Sequence, residues 1–140
     1  MDLAELEENL ALFDDWMERY QYIIALGGQL PALSDAYKTD EYKVRGCISQ
    51  VWLKSTVVDG PPRTLTFDGD SDSAIVKGLV AILRIVLSGQ EPREILQTDL
   101  RAIFARVGLE QHLSPNRRNG FFSMVERVQR EAAAIEGSSV

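Results

Sequence analysis

Between Ile75 and Leu87 the chain places Ile75, Val76, Leu79, Val80, Ile82, Leu83, Val86 and Leu87 at helical spacing. A helix apolar around most of its circumference cannot lie on a surface, so the rest of the chain has to wrap it. Gly78 inside this helix costs about 1 kcal/mol relative to alanine, and a close packing contact is the expected reason for it. Asp70-Ser71-Asp72-Ser73 stands just ahead and reads as the acidic, amide-capping start of the same helix rather than as a metal site. Ser88-Gly89-Gln90-Glu91-Pro92 ends it.

Around that helix the pattern changes period twice. From Leu3 to Leu26, Leu6, Leu10, Phe13, Met17, Tyr20 and Ile24 recur at steps of three and four, which predicts one long helical stripe ended by Gly27-Gly28. Leu30 to Asp35 reads as an irregular connector, and Lys38 to Lys43 as a polar surface loop. The run Cys47 to Val58 is β-rich, with Val51, Leu53 and Val57 on one face, and Asp59-Gly60-Pro61-Pro62 turns it into a second strand over Thr64 to Asp68 with Leu65 and Phe67 inward. Short helical segments follow around Ile95 and over Leu100 to Val107, and a last helix runs from about Gly120 to Ile135 with Phe121, Met124, Val125 and Val128 on one stripe. The expected architecture is a single α+β domain, 1–140, with a small antiparallel sheet flanked by helices, a core over about 5–135 and a frayed tail at 136–140.

Composition removes several classes of activity. A formal net charge of −6 opposes phosphate-backbone binding, so no nucleic-acid partner is expected. No stretch approaches the ~20 apolar residues of a membrane span, and Met1-Asp2-Leu3-Ala4-Glu5 lacks the basic start of an export signal, so the expected location is the cytoplasm with no membrane partner. The single cysteine, Cys47, cannot pair within the chain or supply the ligand set of a structural zinc site or a cluster. No metal is expected.

Cys47 follows Gly46 where a polar loop meets a strand, and Lys38, Lys43, Arg45 and Lys54 are close in sequence. If these cations converge, they favour the thiolate, the form that attacks sulfur. Read as residues alone, Cys47 is first a small buried hydrophobe among ordinary solvated charges, and only the wider pattern of the chain favours a reactive thiol. His112, the only histidine, could partner Cys47 as the base of a free-standing cysteine enzyme, or it is a helix-end packing residue. Lys77 reads as a surface charge.

Five words occur in order: Trp16 to Gly27 with Tyr20 and Tyr22-Ile23-Ile24; Leu30-Pro31-Ala32-Leu33; Val44-Arg45-Gly46-Cys47-Ile48-Ser49-Gln50-Val51-Trp52; Gly69 to Leu79; and Gln111-His112-Leu113-Ser114-Pro115-Asn116-Arg117 with Asn119-Gly120. Together they resemble the SufE family, in register from about Trp16 to Ala134. The resemblance implies a fold similar to the scaffold IscU, and a sulfur acceptor and carrier that is not itself an enzyme. It implies a SufS-type cysteine desulfurase as partner, stimulated by the acceptor, with the pyridoxal phosphate cofactor on the partner and none here. It further implies a SufBCD-type scaffold complex as a downstream recipient, room for a homodimer, and the related CsdE branch as an alternative assignment. In that scheme Cys47 accepts persulfide sulfur, Arg45 and Gly46 set its loop and field, Asp72 tethers the loop in a closed resting form, and Arg117 belongs to the docking surface. Ile48, Val51 and Trp52 are expected to shield the persulfide. Ile48 departs from a polar residue in the family pattern and Ser73 from a common alanine.

Overall fold

The computed structural model describes residues 1–47, 49–109 and 113–137. Helices α1 (Leu3–Ala11) and α2 (Trp16–Gly28) lead into a 3₁₀ turn at Asp35–Tyr37, strands β1 (Val51–Val58) and β2 (Thr64–Ser71), and helices α3 (Ala74–Leu87), α4 (Pro92–Gln97), α5 (Leu100–Arg106) and α6 (Pro115–Gly137). The two strands pair antiparallel from Val51 opposite Ser71 to Val58 opposite Thr64. Among the described residues no helix is long and apolar enough to cross a membrane.

The expectation for α3 holds: ten of its residues are buried, and α2, β2 and α6 all pack on it. Gly78 is a contact point, since a Cβ there would lie 2.3 Å from the carbonyl oxygen of Ile23. The approach is mutual. A Cβ on Gly27 would lie 2.7 Å from the backbone nitrogen of Gly78, so Gly27 packs against α3 while α2 ends at Gly28, as the glycine pair predicts.

Four expectations are corrected. The first helical stripe is two helices, because Asp15 caps a new start by accepting from Glu18 N at 2.8 Å. The restart shifts the buried face to Ile23 and Leu26 and leaves Met17 63% exposed. In β1, Val51 and Leu53 are buried but Val57, near the hairpin tip beyond the core, is exposed. Asp70 and Ser71 belong to β2 rather than to the start of α3, whose cap is Ser73 accepting from Val76 N. Finally, α6 starts at Pro115 and includes Glu136 and Gly137, with Glu136 paired to Arg93 at 3.5 Å, while the remaining tail, 138–140, lies outside the described residues.

Candidate functional site

The chain just before β1 returns along it. Val44 N donates to Val51 O at 2.8 Å and Leu53 N to Tyr42 O at 2.9 Å, so Arg45 to Gln50 forms a loop closed at its base by strand-like bonds. Gly46 has φ +87°, a conformation costly for residues with a side chain, and a Cβ there would meet Ser123 Oγ at 2.7 Å. Glycine is thereby required both by the turn and by its seat on α6. At the far end of the loop, Asp72 Oδ1 accepts from Gln50 N at 3.0 Å and Asp72 N donates to Gln50 O at 3.2 Å. Asp72 does not cap α3; its side chain is spent on the cysteine loop.

Between these anchors, Cys47 is half-buried and its Sγ donates to Gly120 O in α6 at 3.5 Å. Gly120 leaves room for that seat, because a Cβ at this position would lie 3.3 Å from the sulfur, a tight contact. Burial pushes the Cys47 thiol above its ordinary pKa. The contact with Gly120 O is one that only the protonated sulfur can make, so the resting site holds a thiol.

A cleft of about 350 Å³ opens beside the sulfur, lined by Ser49, Val76, Ser114, Asn116, Arg117 and Gly120 in addition to Cys47. Val76 lies in the first turn of α3, and Asn116 and Arg117 in the first turn of α6. Two helix N-termini thus border the cleft, and their dipoles favour an anion there. Ser114 holds the start of α6 by accepting from Arg117 N at 3.3 Å, and the Arg117 guanidinium lies 5.7 Å from the Tyr20 ring centroid.

The cationic cluster expected around the thiol does not assemble in the cleft. Lys38 pairs with Asp70 at 3.1 Å, Lys54 lies over the Tyr37 ring, and Lys43 and Arg45 line a separate groove along α6. Lys43 and Arg45, two residues apart, stay on one side of the chain, and the left-handed turn at Gly46 reorients it before Cys47. Of the four supporting residues named above, Gly46 and Asp72 hold the loop and Arg117 lines the cleft, while Arg45 faces elsewhere. Val51 and Trp52 do not line the cleft; Val76 is its apolar wall. Ile48 and His112 lie outside the described residues. Lys77 pairs with Asp70 at 3.3 Å. Sequence reasoning passed over Gly120, Ser114 and Asn116 as site residues, although they stand in the fifth of the words quoted above. Among the described residues no group of three or more His, Cys, Asp or Glu is gathered to hold a metal.

The site is thus a thiol presented on a loop and bordered by two helix starts. Residues 4–132 match the model of the SufE family, described as an Fe-S metabolism associated domain. The chain belongs to the SufE family. It is 44% identical over 131 residues to an uncharacterized SufE-like protein of Rhizobium meliloti (strain 1021), covering 93% of this chain and 94% of that protein. A second uncharacterized SufE-like protein, from Rhizobium etli, is 45% identical over 132 residues, covering 93% of this chain and 88% of the relative. A solution structure of a hypothetical protein from Thermus thermophilus has the same fold, with a TM-score of 0.77 over 97% of this chain and 96% of that one, at 19% identity. Membership ties the chain to iron–sulfur metabolism.

Proposed function

We propose that Cys47 is a sulfur acceptor that takes persulfide sulfur from a SufS-type cysteine desulfurase, stimulates that enzyme by clearing its sulfur, and hands the sulfur on to iron–sulfur cluster assembly. The observation that carries this reading is the seat of Cys47: the chain's one thiol on a loop pinned at both ends, beside a cleft bordered by helix N-termini.

The chemistry needs little machinery. The Cys47 thiolate attacks the outer sulfur of the donor's persulfide, the bond between the donor's two sulfurs breaks, and the donor leaves as a thiolate. The proton given up by Cys47 ends on that leaving thiolate, so no net oxidant or reductant is consumed. The resting thiol is protonated and hydrogen-bonded to Gly120 O, which protects it from stray oxidants but also slows attack. Productive transfer then requires the loop to leave Gly120, exposing the sulfur where desolvation is relieved and the positive helix ends favour the anion.

Turnover of the cognate desulfurase with free cysteine tests the reading. Wild-type chain is expected to raise sulfide or alanine production and Cys47→Ser to abolish the increase. A Cys47→Ser chain that stimulates as well as wild type would make the protein a regulator that carries no sulfur.

A further inference from the structure

The segment before the cysteine lies along one stripe of α6. Cys47 meets Gly120, Gly46 meets Ser123, and Arg127 donates to the carbonyls of Lys43 at 2.7 Å and Glu41 at 3.0 Å. Continuing at the same three- and four-residue steps reaches Arg130 and Ala134, so the stripe runs on past the loop. There it forms a groove of about 310 Å³ lined by Lys43, Arg45, Arg127, Arg130, Glu131 and Ala134.

The charges in that groove do not cancel. Arg127 and Glu131 neutralise each other at 3.0 Å. Lys43, Arg45 and Arg130 make no ion pair among the described residues; the same holds for Arg19, Lys54, Arg63 and Arg117, but those four lie at separate places on the molecule rather than in one groove. In a chain with 21 acidic residues against 15 Lys and Arg, a groove carrying three uncompensated cations has the opposite sign to the molecule as a whole. Such a surface attracts an acidic partner locally while net repulsion turns away a long polyanion, whose binding would need many more phosphate contacts.

We propose that this groove docks an acidic segment of the sulfur-donating protein and so brings the donor's persulfide to Cys47, which lies about 15 Å along the α6 axis from Arg130 at ~1.5 Å per residue. The inference rests on the acceptor reading for the identity of the partner, though not for its measurement. The surface is fixed rather than induced: Arg127 ties the loop strand to α6, so the cations of both elements hold one register with the thiol.

The test is the affinity of the purified chain for its cognate desulfurase, measured by calorimetry at about 50 and about 200 mM salt, where screening of exposed charges differs. Arg45→Glu combined with Arg130→Glu is expected to weaken binding at low salt by about tenfold or more and to flatten the salt dependence, while Arg45→Lys combined with Arg130→Lys stays within about twofold of wild type. Circular dichroism of each variant checks folding. Unchanged affinity and salt response in the charge-reversed pair would overturn the proposal, as would charge-preserving replacements that bind as weakly as the reversed ones. Single-stranded RNA or anionic phosphatidylserine vesicles bound as tightly as the desulfurase would overturn the choice of partner. Each titration is repeated in a Cys47→Ser background: retained, groove-dependent binding there supports docking even if sulfur transfer fails, and loss of binding there contradicts a docking site separate from the thiol.

Discussion

Cys47 Sγ donates a hydrogen bond to the carbonyl oxygen of Gly120 across a gap of 73 residues in sequence. That contact joins the cysteine loop to the second turn of α6 and makes the reactivity of the thiol depend on how the loop sits. The fold supplies three separate restraints on this seat: the Val44–Val51 pairing, the left-handed turn at Gly46 and the Asp72–Gln50 bonds.

Alkylation reports the protonation state directly. Because burial raises the Cys47 pKa, the iodoacetamide rate of the folded chain is expected to climb with pH to a midpoint above that of the urea-unfolded chain. The linkage sign follows. The raised folded value means that the thiol's contribution to stability is complete below the unfolded pKa and disappears as pH rises through the folded one. Coincident midpoints for folded and unfolded chains would contradict the buried seat.

Removing the Asp72 carboxylate should free the loop. An exposed hydrogen bond of this kind contributes about 0.5–1.5 kcal/mol, so Asp72→Ala is expected to raise the open population and the Cys47 alkylation rate roughly two- to tenfold. The same loss should lower the melting temperature by a few degrees, since about 1 kcal/mol shifts a domain of this size by roughly 2–8 °C. An unchanged alkylation rate would show that Asp72 does not restrain the cysteine.

Gly46→Ala tests the turn. The left-handed backbone costs about 1–2 kcal/mol for a residue with a Cβ, and the close approach to Ser123 Oγ adds to it. Combining Gly46→Ala with Ser123→Ala is expected to recover the steric part alone. Thermal unfolding of the three variants separates the two contributions, and full recovery in the double variant would show that the backbone conformation carries no cost.

The helix crossing is less forgiving. Gly78→Ala would drive a Cβ into the backbone of Ile23, where no side chain can rotate away. Overpacking costs about 1–3 kcal/mol, above the roughly 1 kcal/mol gained in helix propensity, so a net loss of stability is expected in chemical denaturation. A more stable variant would mean that α2 and α3 do not meet at this point.

Periodicity made α3, the hairpin and the α6 stripe legible, because in each the buried face repeats over several turns or residues. It failed where one capping residue resets the phase, as Asp15 does, and where acidic residues continue a strand instead of beginning a helix, as Asp70 does. The thiol itself could be picked out, but its environment could not. Gly120, Val76 and Ser114 come to Cys47 through tertiary packing, and the left-handed turn at Gly46 separates Lys43 and Arg45 from it. The Asp72–Gln50 bonds are likewise long-range, and only the family resemblance pointed to Asp72 as a tether.

The central claim is that sulfur comes to rest on Cys47, and intact-protein mass spectrometry under non-reducing conditions reads it most directly. After incubation with the cognate desulfurase and free cysteine, the wild-type chain should gain about 32 Da, one sulfur atom, mapped to the peptide holding Cys47 and removed by dithiothreitol, while the Cys47→Ser chain gains nothing. No mass gain on the wild-type chain, with the desulfurase itself turning over, would contradict the account.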